Sequence, residues 1–224
     1  DDVVKVPKSS NTYGDALLYE ESWHWTDLSV PGSSFPTIKF FLDNSGDGGA
    51  WKPHEIFVIS QMFESIEHVI NIKFERVFNE SNAQFVEIKQ LSDTFDGTEI
   101  ANHEPPQNFN GALSDGQIEG QFDALSNFWS AMTVGGAGFY VLLHEIMHGL
   151  GLDHPHDGSV FPGVGNSGDL GTSNLNQALF TAMSYNTPWN KLGTLFQQSN
   201  FSLGGVLGPS AFDIAALQLL YGSN

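Results

Sequence analysis

The sequence predicts an α+β fold: a twisted mixed sheet with long helices, followed by an irregular stretch that closes on a helix. Three observations predict it. Strand, long helix, strand and strand follow one another between Pro36 and Leu91. A helix that is apolar nearly all round is expected from about Phe139 to Leu150, and such a helix has to be buried. A long connection rich in Gly, Ser and Asn, Pro155 to Ala182, then separates it from a last helix.

In chain order, residues 1–14 are polar and are expected to be poorly tied down. Asp15 to Trp25 reads as a short helix that packs Leu17, Leu18 and Trp23 on the body. Pro36 to Leu42 is a strand. Asp43 to Gly48 is an acidic, glycine-rich loop whose D-x-S-x-D-G spacing resembles the start of a calcium loop. His54 stands at its twelfth position instead of the glutamate such a loop needs, so a plain turn is the stronger reading. Pro53 to Ile70 carries Ile56, Phe57, Ile59, Phe63, Ile66 and Ile70 at helical spacing. Asn71 to Val77 and Ala83 to Leu91 alternate as strands do. Asp93 to Gly120 shows no clear period. Phe122 to Met132 is helix or loop, and Thr133 to Gly138 leads into the apolar helix. Ser210 to Tyr221 is the last helix, with Ser210 and Asp213 spaced as a capping box and Gly222 placed to end it.

The apolar helix carries the chemistry. Its end reads His144-Glu145-Ile146-Met147-His148-Gly149-Leu150-Gly151-Leu152-Asp153-His154, the pattern H-E-x-x-H-x-x-G-x-x-H. Residues four apart on a helix share a face, so His144 and His148 present two imidazoles one turn apart. A glycine in the left-handed conformation ends a helix readily, and Gly151 would turn the chain so that His154 approaches from another side. Three neutral imidazoles suit Zn²⁺ and leave a fourth position open, as catalytic zinc sites do. Glu145, beside the first ligand, can reach a zinc-activated water without occupying the metal. His103 is left out of the ligand set because the motif already supplies three, while His156, two residues past His154, invites a ligand swap that only the resemblance described below decides in favour of His154. The extended pattern spans five defined positions, which sets it far above a chance H-E-x-x-H.

Composition narrows the partners. The chain has 224 residues, 26 acidic against 8 basic side chains and a formal net charge of −18. A phosphate backbone would be repelled, so nucleic-acid binding is not expected. There is no cysteine, so no disulfide and no thiol chemistry. No stretch approaches the length of a membrane span. Asp1-Asp2-Val3-Val4-Lys5 lacks the pattern of a signal peptide, as expected where a signal has been removed or export takes another route.

The extended motif resembles that of the metzincin metalloproteases. His154-Pro155, Ala182-Met183-Ser184-Tyr185, and Phe212-Asp213-Ile214-Ala215-Ala216-Leu217-Gln218 to Tyr221-Gly222 look like the serralysin branch, with the specific part from about Gly138 onward. The resemblance implies a single catalytic domain over residues 1–224, with an upper lobe of about 1–151, a lower lobe of about 152–224 and the cleft between. It implies a secreted zinc endopeptidase with His144, His148 and His154 as metal ligands and Glu145 as general base. Met183 would form the methionine turn beneath the zinc. Tyr185 corresponds to the tyrosine that can act as a fifth zinc ligand and then donate its hydroxyl to the oxyanion. An edge strand above the cleft is expected in Ile100–Pro106 or in Gly111–Leu113, ready to pair with an extended peptide. The calcium-binding G-G-x-G-x-D repeats that serralysins carry after the catalytic domain do not recur here. Calcium therefore rests on the Asp43–Gly48 loop alone. Protein or peptide substrates and a monomer are expected. Two other readings fit the same zinc site: a catalytically silent zinc-binding module, and a zinc hydrolase of a non-protein substrate.

Overall fold

The computed structural model describes residues 3–5, 7, 9, 11–20, 23–25, 36–91, 99–106, 116–158, 161–186 and 205–224. Its centre is a five-stranded sheet in the order β4-β3-β5-β7-β6. β3 (Thr37–Asp43) pairs in parallel with β4 (Lys73–Arg76) and β5 (Phe85–Gln90), and β5 pairs in parallel with β7 (Ile118–Asp123). β6 (Ala101–His103) lies antiparallel to β7 and closes one edge. Parallel neighbours require a crossover. The long helix α2 (Pro53–Glu67) supplies the one between β3 and β4.

α2 forms over most of the span its apolar spacing predicts, ending at Glu67, but Phe57, expected on the apolar face, is exposed. Pro53 takes the first turn, where its missing N–H costs nothing. The Glu55 carboxylate accepts the Lys52 N–H at 2.7 Å. The same carboxylate takes Lys89 Nζ of β5 at 2.9 Å, a pair buried on both sides. Val58, Ile59, Met62, Phe63 and Ile66 form the buried face, against Ile38, Phe40 and Leu42 of β3 in one continuous core.

α3 (Ala137–Gly149) is the apolar helix, and it packs against α2, β6 and β7. Of the residues from Gly138 to Gly149 only Tyr140 is not buried. α4 (Ala211–Tyr221) starts at the Ser210 cap, with the Ser210 N–H on the Asp213 carboxylate at 2.8 Å. The expected capping box is present at that end.

The N-terminal part departs from expectation. The helix there is a single turn, α1 (Thr12–Asp15), and Trp23–Trp25 is a strand, β2, paired antiparallel with β1 (Val3–Lys5). Asn11 accepts the Gly14 N–H and starts α1 early, while the β-favouring aromatics Trp23 and Trp25 go to the strand. Leu17 and Leu18 are fully buried as expected, whereas the Trp23 side chain lies outside the described ones. β1 also places in a sheet part of the stretch expected to be loose. β7 is a strand the sequence did not announce, and Asn127–Ala131 is a short 3₁₀ turn. Of the two candidates for an edge strand, Ala101–His103 is one; Gly111–Leu113 lies outside the described residues. No helix among the described residues is long and apolar enough to cross a membrane.

Candidate metal centre

α3 ends at the motif. Gly151 has φ +103°, a backbone that disfavours every other residue, and there the chain reverses. The reversed strand of chain is held by the N-terminal segment. Leu152 bridges Leu18, and the Asp153 N–H donates to Leu17 O at 2.8 Å. The last carbonyls of a helix have no partner inside it. Here the Trp25 indole donates to Gly149 O at 2.8 Å and the Tyr221 hydroxyl to Leu150 O at 2.7 Å.

These constraints bring His144, His148 and His154 together. Their Nε2 atoms meet at 3.0 Å for the 144–154 pair and 3.0 Å for the 148–154 pair. Each ring is held by its other nitrogen. His144 Nδ1 faces Ala182 O at 2.8 Å, His148 Nδ1 faces Leu152 O at 2.7 Å, and His154 Nδ1 faces an Asp157 carboxylate oxygen at 2.9 Å. Tyr19 brings its hydroxyl to 3.0 Å from His148 Nδ1. Carbonyl and carboxylate oxygens only accept, so all three Nδ1 atoms carry the proton. All three Nε2 atoms then present lone pairs to one another. They cannot bond among themselves, and they repel unless a cation lies between them. Zn–N bonds of about 2.0–2.1 Å at tetrahedral angles set nitrogens about 3.3 Å apart, close to the spacing seen. Burial and the neighbouring imidazoles reinforce the neutral form: they push the His144 pKa down to about 4 and that of His148 well below its ordinary value. The donor set fits Zn²⁺.

Around this triad the other residues take their places. Glu145 is buried, and burial pushes its carboxyl up to about 8, with Glu99 and Glu87 adding to the shift and His103 opposing it. A cation among the three imidazoles favours the ionised form. Tyr185 is exposed, with its hydroxyl 3.1 Å from His154 Nε2 and its ring beside His154 and His156. Burial and the Glu145 charge push its phenol up to about 12, so it stays protonated. Met183 is fully buried in a turn that spans Thr181 to Ser184. That turn is tied to α3 twice, by His144 Nδ1 to Ala182 O and by the Tyr140 hydroxyl to Ser184 O at 2.6 Å. It is tied to α4 by Asp213, which accepts from Thr181 Oγ1 at 2.6 Å and from the Ala182 N–H at 2.8 Å.

Sequence reasoning missed the parts that orient the ligands. Tyr19, Asp157 and the Ala182 carbonyl had no assigned role, and Asp213 was read only as a cap. Asp157, three residues beyond His154, was the one with a local signal. The acidic loop behaves as a turn: Asp43 accepts from Ser45 N–H at 2.8 Å and Asp47 from Leu91 N–H at 2.7 Å. Among the described residues, groups of three or more His or carboxylate ligands come within 4.8 Å only at His144/His148/His154 and at His154/His156/Asp157.

Over 91 residues the chain is 41% identical to Metallopeptidase AprA of Pseudomonas marginalis. The match covers 39% of this chain and 18% of that protein's length. No family model matches the chain.

Proposed function

We propose that this chain is the catalytic domain of a secreted zinc endopeptidase of the metzincin type, similar to serralysins, working in a cleft between lobes of about residues 1–151 and 152–224. The observation that carries the reading is the convergence of three proton-free Nε2 atoms beside a buried glutamate. The similarity to a metallopeptidase supports it.

His144, His148 and His154 would hold the metal, and Tyr185 would serve as a fifth ligand. Bound zinc supplies a Lewis acid that polarises a carbonyl and makes water more acidic. Glu145 takes the proton of the attacking water and passes it to the leaving amine. Tyr185, protonated at neutral pH, leaves His154 and donates its hydroxyl to the developing oxyanion. Met183 forms an apolar floor that touches the site without ligating.

The substrate would lie along β6. Glu104 N–H bonds Glu119 O at 3.0 Å and Asp123 N–H bonds Ile100 O at 2.9 Å. Antiparallel pairing alternates, so Ile100, Asn102 and Glu104 turn their backbone groups toward β7. The N–H and C=O groups of Ala101 and His103 therefore face outward, where an extended peptide can pair with them. Glu99, just before the strand, lies near enough to Glu145 and Tyr185 to raise both pKa values, so the strand runs beside the site.

A peptide-library digest near neutral pH tests the reading. Cleavage should stop with a zinc chelator and return when zinc is restored. A chain that binds one zinc and cleaves no peptide would turn the reading toward a silent module or a hydrolase of another substrate. In Tyr185→Phe, zinc should stay bound while kcat drops by roughly 10²–10³-fold, the loss of one oxyanion donor. Unchanged kcat would remove Tyr185 from the mechanism.

A further inference from the structure

Beside the end of α3, β6 and β5 are joined by a charged pair that the proposed mechanism does not use. His103, on β6, has a fully buried side chain. Its Nε2 lies 3.1 Å from Glu87 Oε1 on β5, and its Nδ1 lies 2.8 Å from Glu104 O. Both nitrogens face acceptors, so both donate and the ring is an imidazolium. Burial lowers the His103 pKa, yet Glu87 outweighs it and the net shift is upward.

The surroundings are cut to admit this pair. A Cβ on Gly149, at the end of α3, would fall 2.5 Å from His103 Cε1. A Cβ on Gly120, in β7, would fall 2.1 Å from Glu87 Oε2. Two glycines thus let the imidazole stand against the active-site helix and the carboxylate stand across the sheet. The arrangement is expensive. Glu87 Oε2 is buried without a hydrogen-bond partner, and an ion pair taken out of water is often worth less than an apolar pair of the same volume. Such a pair does supply direction. It holds at one distance and one angle, where apolar side chains slide.

We propose that His103 and Glu87 are positioning residues that lock the edge strand β6 in height and register on the sheet, with the His103 ring seated against Gly149 of α3, so that the outward backbone of Ala101 and His103 meets an extended peptide at the right level. The inference rests on the peptidase reading for its substrate, and on the pair's own geometry for the lock.

Two measurements on the zinc-loaded protein test it, with His103→Ala and with Glu87→Gln. The second variant keeps the shape, removes the charge that holds the ring as an imidazolium, and serves where the first does not fold. The first measurement compares a long quenched peptide that extends along the edge strand with a short one that ends before it. The variants should lose roughly tenfold to a hundredfold in kcat/KM on the long peptide, mostly through KM, as expected when a positioned substrate is displaced. The short peptide should lose far less. The second measurement is amide hydrogen exchange. The N–H of Glu104 and of Asp123, bonded across β6 and β7, should exchange faster, while those of α3 keep their protection. Equal loss on both peptides, or unaltered exchange across β6 and β7, would overturn the inference. Were the wild type to cleave neither peptide, the peptidase reading would fail, and the exchange result alone would still decide whether the pair holds the strand.

Discussion

Glu145→Ala is expected to keep one zinc per chain and to lose hydrolysis by at least 10²–10⁴-fold, the usual contribution of a positioned general base. The expectation separates two roles that one helix turn combines. In the proposed reading His144 and His148 would supply nitrogen to the metal, whereas Glu145 belongs to no group of converging ligand atoms among the described residues. Removing its carboxylate should therefore leave metal content, measured by stoichiometric zinc analysis, where it was. The proton would then have no acceptor. Burial pushes the carboxyl up to about 8, and a cation among the three imidazoles would draw it back toward neutrality, the range the proposed base needs. Activity within tenfold of wild type in the variant would sink the assignment, and zinc loss would mean that Glu145 holds the metal site together.

Asp213→Ala is expected to cost roughly 3–5 kcal/mol of stability, because two buried donors and one half-buried donor lose their acceptor at once. Those donors are Thr181 Oγ1, the Ala182 N–H and the Ser210 N–H. Two of them lie in the methionine turn, whose Ala182 carbonyl orients His144. Zinc affinity should fall with the fold stability, by about 10–100-fold, as it does when the partner of a ligating histidine is lost. Asp213→Asn should cost far less. Its carbonyl oxygen can take both N–H groups and its amide can face the Thr181 hydroxyl. The two forms should also differ in pH dependence. Burial pushes the Asp213 carboxyl up to about 6, above its value in an unfolded chain. The native state then holds this proton more tightly, so the wild type gains stability as pH falls through about 6 and loses it as pH rises. The asparagine does not titrate. The melting temperature of the wild type relative to Asp213→Asn should therefore rise between pH 7.5 and pH 5, and a flat difference would refute the buried-charge account.

Much of the fold could be read in advance where a local rule governs it. α2 follows from apolar residues at helical spacing, β3 and β4 from short alternating runs, and α4 from its Ser210–Asp213 cap. β5 shows where that reading thins. Its inward face is Phe85, Glu87 and Lys89, each buried, and the charges are tolerated because His103 and Glu55 come to meet them. β7 escaped notice because Gly120 weakens a strand pattern, and the reason for that glycine is Glu87 across the sheet. The helix expected over Asp15–Trp25 gave way to one turn and a strand, since Trp25 is needed at the Gly149 carbonyl.

The same division runs through the site. By itself the sequence determined its chemistry: two histidines one helical turn apart, a glutamate beside the first, and a glycine able to reverse the chain before the third. Each of these acts within eleven residues of backbone, where spacing and φ alone set direction. Only the tertiary structure decided what holds His144 and what lies beside the site, because the Ala182 carbonyl, Tyr19 and β6 come from far along the chain, whereas Leu152 O and Asp157 lie within four residues of the histidines they hold. Tyr19, Ala182, Asp213 and the His103–Glu87 pair reach the site through packing of separate elements. Hydrogen bonds between elements depend on their relative placement, which the pattern along any one segment does not contain.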